Sequence, residues 1–143
     1  MQEALKQAKL ANKLQEVPVG AVVVSDSKII ATGHNTNIST HSVVNHAEIN
    51  AINQASAFLQ NHRLVNCDIY VTLEPCHMCA KAIVDARFSN LYFGTPEPKS
   101  GAIISIDNFL EKEFLNHTVS YKYGMLQDEC RQLMKMFFSS RRH

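Results

Sequence analysis

Val71-Thr72-Leu73-Glu74-Pro75-Cys76-His77-Met78-Cys79 reads as a strand that runs straight into a helix. Residues 68–73 (Asp-Ile-Tyr-Val-Thr-Leu) alternate and then turn apolar, and Pro75 suits a first helical turn, where its missing N–H is not needed. A helix over about 76–86 carries Cys76 and Cys79 at its start. Three residues apart, they share one face of a turn, and the unpaired N–H groups and dipole of a helix start favour thiolates there. Such a pair can share a metal, with His46 of the earlier His46-Ala47-Glu48 as third ligand. Three protein ligands leave one zinc position open, and a water held there loses a proton near neutral pH, which is what separates a catalytic zinc from a structural one. Glu48 is then the candidate proton carrier. In mid-helix, residues two apart point to different sides, so His46 and Glu48 face one pocket only if a helix begins about there. Thr40, Ser42 and Asn45 before the pair, and the apolar stripe Ile49, Ile52, Ala55 and Leu59 after it, predict that start and a helix over 46–60.

Taken alone, each half of this constellation has an ordinary explanation. A lone C-x-x-C is often a redox pair or half of a structural zinc site, and a lone H-x-E is usually a surface accident. A redox site has no need of the acid, and a structural knuckle wants a fourth thiolate or imidazole close by. His77, between the cysteines, points away from their face and is a poor fourth ligand. Joined, H-x-E and P-C-x-x-C form the signature of zinc nucleobase deaminases.

Working outward, the 143 residues, 45% hydrophobic, suffice for one domain with a real core, taken as 1–143. No stretch of about 18 apolar residues and no signal-peptide pattern is present, so a soluble, cytoplasmic protein without membrane contact is expected. Of four cysteines, two go to the metal, leaving Cys67 and Cys130 unpaired and in the core. Residues 2–15 predict a helix with Leu5, Ala8 and Leu14 on one side, ended by Pro18. Residues 19–24 and 28–33 predict a hairpin about Ser25-Asp26-Ser27, followed by a polar loop to residue 45 of the kind that walls pockets. Strand 89–94 after the cysteine helix implies a right-handed parallel crossover. Residues 95–102 read as a loop, 103–111 as a short helix and 118–123 as a weak fifth strand. Residues 125–140 form a helix with Leu126, Cys130, Leu133, Met134, Phe137 and Phe138 on its apolar side. The order predicts a three-layer α/β/α domain with a mixed sheet of about five strands.

The wording of these segments resembles the bacterial tRNA-specific adenosine deaminases of the TadA type, in the cytidine deaminase superfamily. Glu16-Val17-Pro18-Val19-Gly20-Ala21-Val22, His46-Ala47-Glu48-Ile49, Val71-Thr72-Leu73-Glu74-Pro75-Cys76 with Met78-Cys79-Ala80, and Phe93-Gly94 followed by Lys99-Ser100-Gly101-Ala102 all carry the likeness, from about residue 3 to 142. The resemblance implies a cytidine-deaminase-like fold, one Zn2+ per chain, a homodimer, and hydrolysis of adenosine to inosine at the wobble position of a tRNA anticodon. It also implies that Asn35 hydrogen-bonds the base while Val17 and Ala47 pack against it, and it leaves Glu74 without an assigned role.

A net charge of +1 does not by itself announce a nucleic-acid protein. The terminal Phe137-Phe138-x-x-Arg141-Arg142 resembles the family's basic tail, so Lys99, Arg141 and Arg142 are expected to touch phosphates of an anticodon stem-loop. Ser139 stands where the family commonly has another Arg, and Glu97 where an Asp is usual. A helix end favoured by its dipole is the plainer reading of the two arginines. The competing functional readings are a free-base or nucleoside deaminase of guanine or cytosine type on the same zinc apparatus, and a non-catalytic zinc-stabilised binding domain, which the presence of Glu48 disfavours.

Overall fold

The computed structural model describes residues 1–141 of the chain. The elements, in order, are α1 (Gln2–Lys13), β1 (Gly20–Ser25), β2 (Lys28–His34), α2 (Asn37–Thr40), α3 (Ala47–Leu59), β3 (Cys67–Leu73), α4 (His77–Asp85), β4 (Asn90–Thr95), β5 (Ser120–Tyr123) and α5 (Gln127–Ser140). The five strands form one mixed sheet in the order β2-β1-β3-β4-β5. β1 runs antiparallel to β2 and β3, while β3, β4 and β5 are parallel. Helices α3 and α4 cover one face and α1 and α5 the other, giving the expected three layers.

Alternation in β1 shows how the sheet serves both faces. Ala21 and Val23 point into the main core with Ile69, Val71, Leu91 and Phe93, while Val22, also buried, points the other way. The hairpin turns on Asp26 and Ser27, both in the left-handed region (φ 51° and 63°), the two-residue turn whose twist matches the strands.

Helix α3 meets the sheet through small residues. Its buried positions are Ala47, Glu48, Ala51 and Ala55, whereas Ile49 and Ile52 are only half-buried and Leu59 is exposed, so the stripe read from the larger apolar residues was rotated. The reason is distance: a Cβ on Gly33 of β2 would come within 2.6 Å of the Ala51 amide nitrogen, and only a glycine facing alanines permits this approach. That closeness carries Glu48 to the sheet's edge.

Other elements differ from expectation in their details. Helix α1 stops at Lys13, ahead of Pro18, because Gln15 adopts φ 62° and the Glu16 amide bonds back to the Ala11 carbonyl at 2.9 Å. Ala4, Leu5, Ala8 and Ala11 are its buried face, and Leu14 is exposed. The loop before α3 contains the one-turn helix α2. Residues 103–111 supply only a 3-10 turn at Phe109–Glu111, because the backbone N–H groups of Ile103, Ile104 and Ser105 are turned toward the Glu74 carboxylate. Helix α5 buries Cys130 and Phe137, with Leu133 and Met134 partly covered and Phe138 exposed. Cys67 and Cys130 are buried free thiols, as expected. Among the described residues, no helix is long and apolar enough to cross a membrane.

Candidate metal centre and substrate pocket

Strands β2, β3 and β4 end, and β1 begins, at the same edge of the sheet, the edge where open α/β sheets place their ligands. Helices α3 and α4 start there. His46 is the residue immediately before α3 (φ −72°, ψ 157°) and Cys76 the residue immediately before α4 (φ −74°, ψ 175°). Their extended backbone turns both side chains back across the helix starts. This explains how His46 and Glu48, two apart, share a pocket: the helix begins between them, as the sequence required.

His46 Nδ1 lies 3.6 Å from Cys76 Sγ and 3.4 Å from Cys79 Sγ, and the three ligand atoms fall within 4.8 Å of one another. A tetrahedral zinc, about 2.3 Å from sulfur and about 2.0–2.1 Å from nitrogen, sets S and N roughly 3.5 Å apart, so the cluster fits that ion without rearrangement. A hydrogen bond from Cys79, with a smaller contribution from His46, holds Cys76 down to about 4, and the same coupling pushes Cys79 up. His77 takes no part. It is exposed, 2.9 Å from Asp107, whose carboxyl it and Lys112 hold down to about 2.

Glu48 is 3% exposed. Burial, only partly offset by its own backbone N–H and by His46, pushes its carboxyl up to about 7. Its Oε1 is a buried side-chain oxygen with no hydrogen-bond partner. An orphan of this kind costs about 1–3 kcal/mol unless something fills the space beside it. A carboxyl poised near neutrality, beside a cluster that could hold a metal, has the profile of an acid–base group.

The pocket in front of Glu48 and the ligands holds about 220 Å³ and is lined by Val17, Val19, Asn35, Asn37, Leu73, Glu97, Ser100, Met134 and Phe138, among others. Asn35, 6% exposed, accepts a 2.7 Å hydrogen bond from the Ala47 N–H through Oδ1, so its amide NH2 is the group left to face a ligand. Val17 lines the pocket, whereas Ala47 is fully buried and acts through its backbone. Lys99 is exposed and is a chain neighbour of Ser100, which lines the pocket. Arg141 is engaged within the chain: Nη2 donates to the Gln15 carbonyl at 2.8 Å, and the guanidinium lies 4.3 Å over the Phe137 ring. Arg142 lies outside the described residues.

Two buried glutamates brace the walls. Glu16 accepts from the Ile38 and Ser39 amides (3.0 and 2.8 Å), anchoring α2. Glu74 accepts from the amides of Glu97, Ile103, Ile104 and Ser105 and from the Ser105 hydroxyl. In both, burial would raise the carboxyl and the hydrogen bonds outweigh it, so both lie below the ordinary carboxylate value. Met134, Phe138 and the role of Glu16 were not legible in the sequence. The first two read as helix core, and nothing in the chain marks the distant amides that Glu16 serves.

Residues 1–142 match the MafB19-like deaminase family. The chain is 44% identical over 143 residues to the tRNA-specific adenosine deaminase of Haemophilus influenzae, covering 99% of this chain and 83% of that one. The tRNA-specific adenosine deaminase of Bacillus subtilis (strain 168) is 41% identical over 138 residues, 96% of this chain and 86% of its own length. A solved structure from biochemical and structural studies of A-to-I editing by tRNA:A34 deaminases at the wobble position of transfer RNA superposes with a TM-score of 0.91 at 40% identity, over 93% of this chain and 96% of that one. Identity at this level along nearly the whole chain, on the same fold, means that the chain belongs to the tRNA-specific adenosine deaminase family.

Proposed function

We propose that the protein hydrolyses adenosine to inosine at the wobble position of a tRNA anticodon, with one zinc ion per chain held by His46, Cys76 and Cys79. The observation that carries this reading is the unpartnered Oε1 of Glu48, buried in the same pocket as the ligand cluster. Relatives named tRNA-specific adenosine deaminases, at 41–44% identity, support the choice of tRNA over a free base.

When bound, zinc supplies a nucleophile by lowering the pKa of a water in its open position. The chain's own residues do the rest. Asn35 orients the base through its amide NH2, and Val17 and Leu73 pack against the ring. Glu48 takes the proton released when oxygen adds to the ring carbon that bears the exocyclic amine, and delivers it to the adjacent ring nitrogen. A second proton, again through Glu48, goes to the amine, which departs as ammonia; one water is consumed and one ammonia formed. A target base must be splayed out of its loop to enter, and a single-stranded anticodon loop permits this.

The protein is further read as a cytoplasmic homodimer, since one small chain offers little surface to a structured stem-loop. Light scattering at micromolar concentration checks the dimer. Ammonia release from an anticodon stem-loop, compared with free adenosine, guanine and cytosine, tests the substrate. Turnover confined to the free bases would replace this reading with that of a free-base deaminase.

A further inference from the structure

Glu74 stands between the end of β3 and the Pro75-Cys76 start of α4, two residues before a metal ligand, yet its carboxylate serves a different segment. It is 2% exposed. Oε1 accepts from the Glu97 amide at 2.9 Å and from the Ser105 hydroxyl. Oε2 accepts from the amides of Ile103 (3.0 Å), Ile104 (2.8 Å) and Ser105 (3.0 Å). A carboxylate has about four acceptor sites, so five donors leave it no capacity for a ligand or a proton in flight.

All five donors belong to residues 97–105, the segment that places Glu97 and Ser100 in the pocket wall. The segment is also tied to the metal side by the Ala102 amide, which donates to the Pro75 carbonyl at 2.9 Å. Gly101 lies against the carboxylate so closely that a Cβ would overlap it. Removing this acceptor would leave four backbone amides of the loop without their present partner, and a loop so released no longer holds its wall in place.

We propose that Glu74 is a positioning residue for substrate binding: it fixes the 97–105 loop as one wall of the pocket while staying outside the proton transfers. This rests on the proposed deaminase reading for its substrate. The hydrogen-exchange arm below, however, needs no substrate and is read on the zinc-loaded full chain.

Glu74→Gln keeps the shape but turns an NH2 toward backbone N–H groups. Expected are faster amide exchange at residues 97 and 103–105, unchanged zinc content, and a KM for an anticodon stem-loop raised about tenfold, the equivalent of one lost charged hydrogen bond. The saturated single-turnover rate and its pH profile stay as in the parent. Gly101→Ala should reproduce the same split from the other side of the contact. Ser105→Ala, a change at an exposed residue that removes one donor, gives a smaller shift in the same direction and carries the test if the Gln variant does not fold. A fall in the saturated rate with KM unchanged, exchange as slow as in the parent, or faster exchange with KM unmoved would each overturn the proposal. If the parent ignores the stem-loop, the deaminase reading fails instead, while exchange still reports whether Glu74 holds the loop.

Discussion

The Asn35 carboxamide oxygen accepts the Ala47 N–H at 2.7 Å, so the side chain at the pocket's edge also secures the first turn of α3, the helix that presents Glu48. The two duties use different atoms and can be separated. Asn35→Asp keeps an acceptor for Ala47, and a carboxylate is welcome at a helix start, but it loses the NH2 donor. We predict an unfolding midpoint close to the parent's and a single-turnover rate lower by about tenfold or more, as expected for a misplaced base. Asn35→Ala should lose both, with a stability cost of about 1 kcal/mol from the missing helix-start bond. Equal melting behaviour for the two variants would remove Ala47 from the account.

The candidate metal cluster makes a sharper distinction among the cysteines. His46→Ala, Cys76→Ala and Cys79→Ala are each expected to leave the purified chain without its zinc, because two ligands do not hold the ion. Cys67→Ala and Cys130→Ala, buried free thiols away from the cluster, should retain about one zinc per chain. Metal analysis of the five proteins decides between the assignments.

Glu48→Gln preserves volume and leaves the metal ligands untouched. It should keep zinc and fold while lowering deamination by at least about 10²–10⁴, the usual worth of a positioned proton carrier. Inosine formation followed by mass spectrometry of the RNA is a sufficient readout, and near-normal turnover would assign the proton to another group.

Acid stability should depend on Glu16. Its carboxyl lies below the ordinary value of 4.5 in the folded chain because the Ile38 and Ser39 hydrogen bonds outweigh the effect of burial. A depressed folded value means that the unfolded chain takes up its proton first as pH falls. The stabilisation is therefore complete above the ordinary value and is lost below it, down through the folded value. Glu16→Gln should cost about 1–3 kcal/mol at pH 7, and the gap to the parent should narrow below pH 4.5. Urea titrations at several pH values measure both.

Arg141 is expected to behave unlike Arg142. Because its guanidinium lies over Phe137 and donates to Gln15, Arg141→Ala should lower the melting temperature while leaving the salt dependence of stem-loop binding nearly intact. Arg142→Ala should reduce that salt slope by about one unit of charge. An unchanged slope in Arg142→Ala means that the tail does not meet phosphate.

The sequence by itself brought out the candidate ligand cluster and the layering. His46, Glu48, Cys76 and Cys79 stand out as candidates because coordination and proton transfer admit few residue types, and the spacing that brings a cysteine pair onto one helical turn is local. Strand and helix order follows from local periodicity for the same reason, and with it the mixed five-stranded sheet. What only the tertiary structure decided are relations between distant segments. Alternation and helical period cannot say that alanines, rather than the isoleucines of α3, face Gly33, since that depends on how near two backbones come. Nor does any local pattern reveal that Glu74 collects amides some thirty residues away, that Glu16 anchors α2, or that Met134 and Phe138 close a pocket built at the far end of the chain. Buried carboxylates take whatever donors the fold delivers to them, and which donors arrive is settled by packing alone.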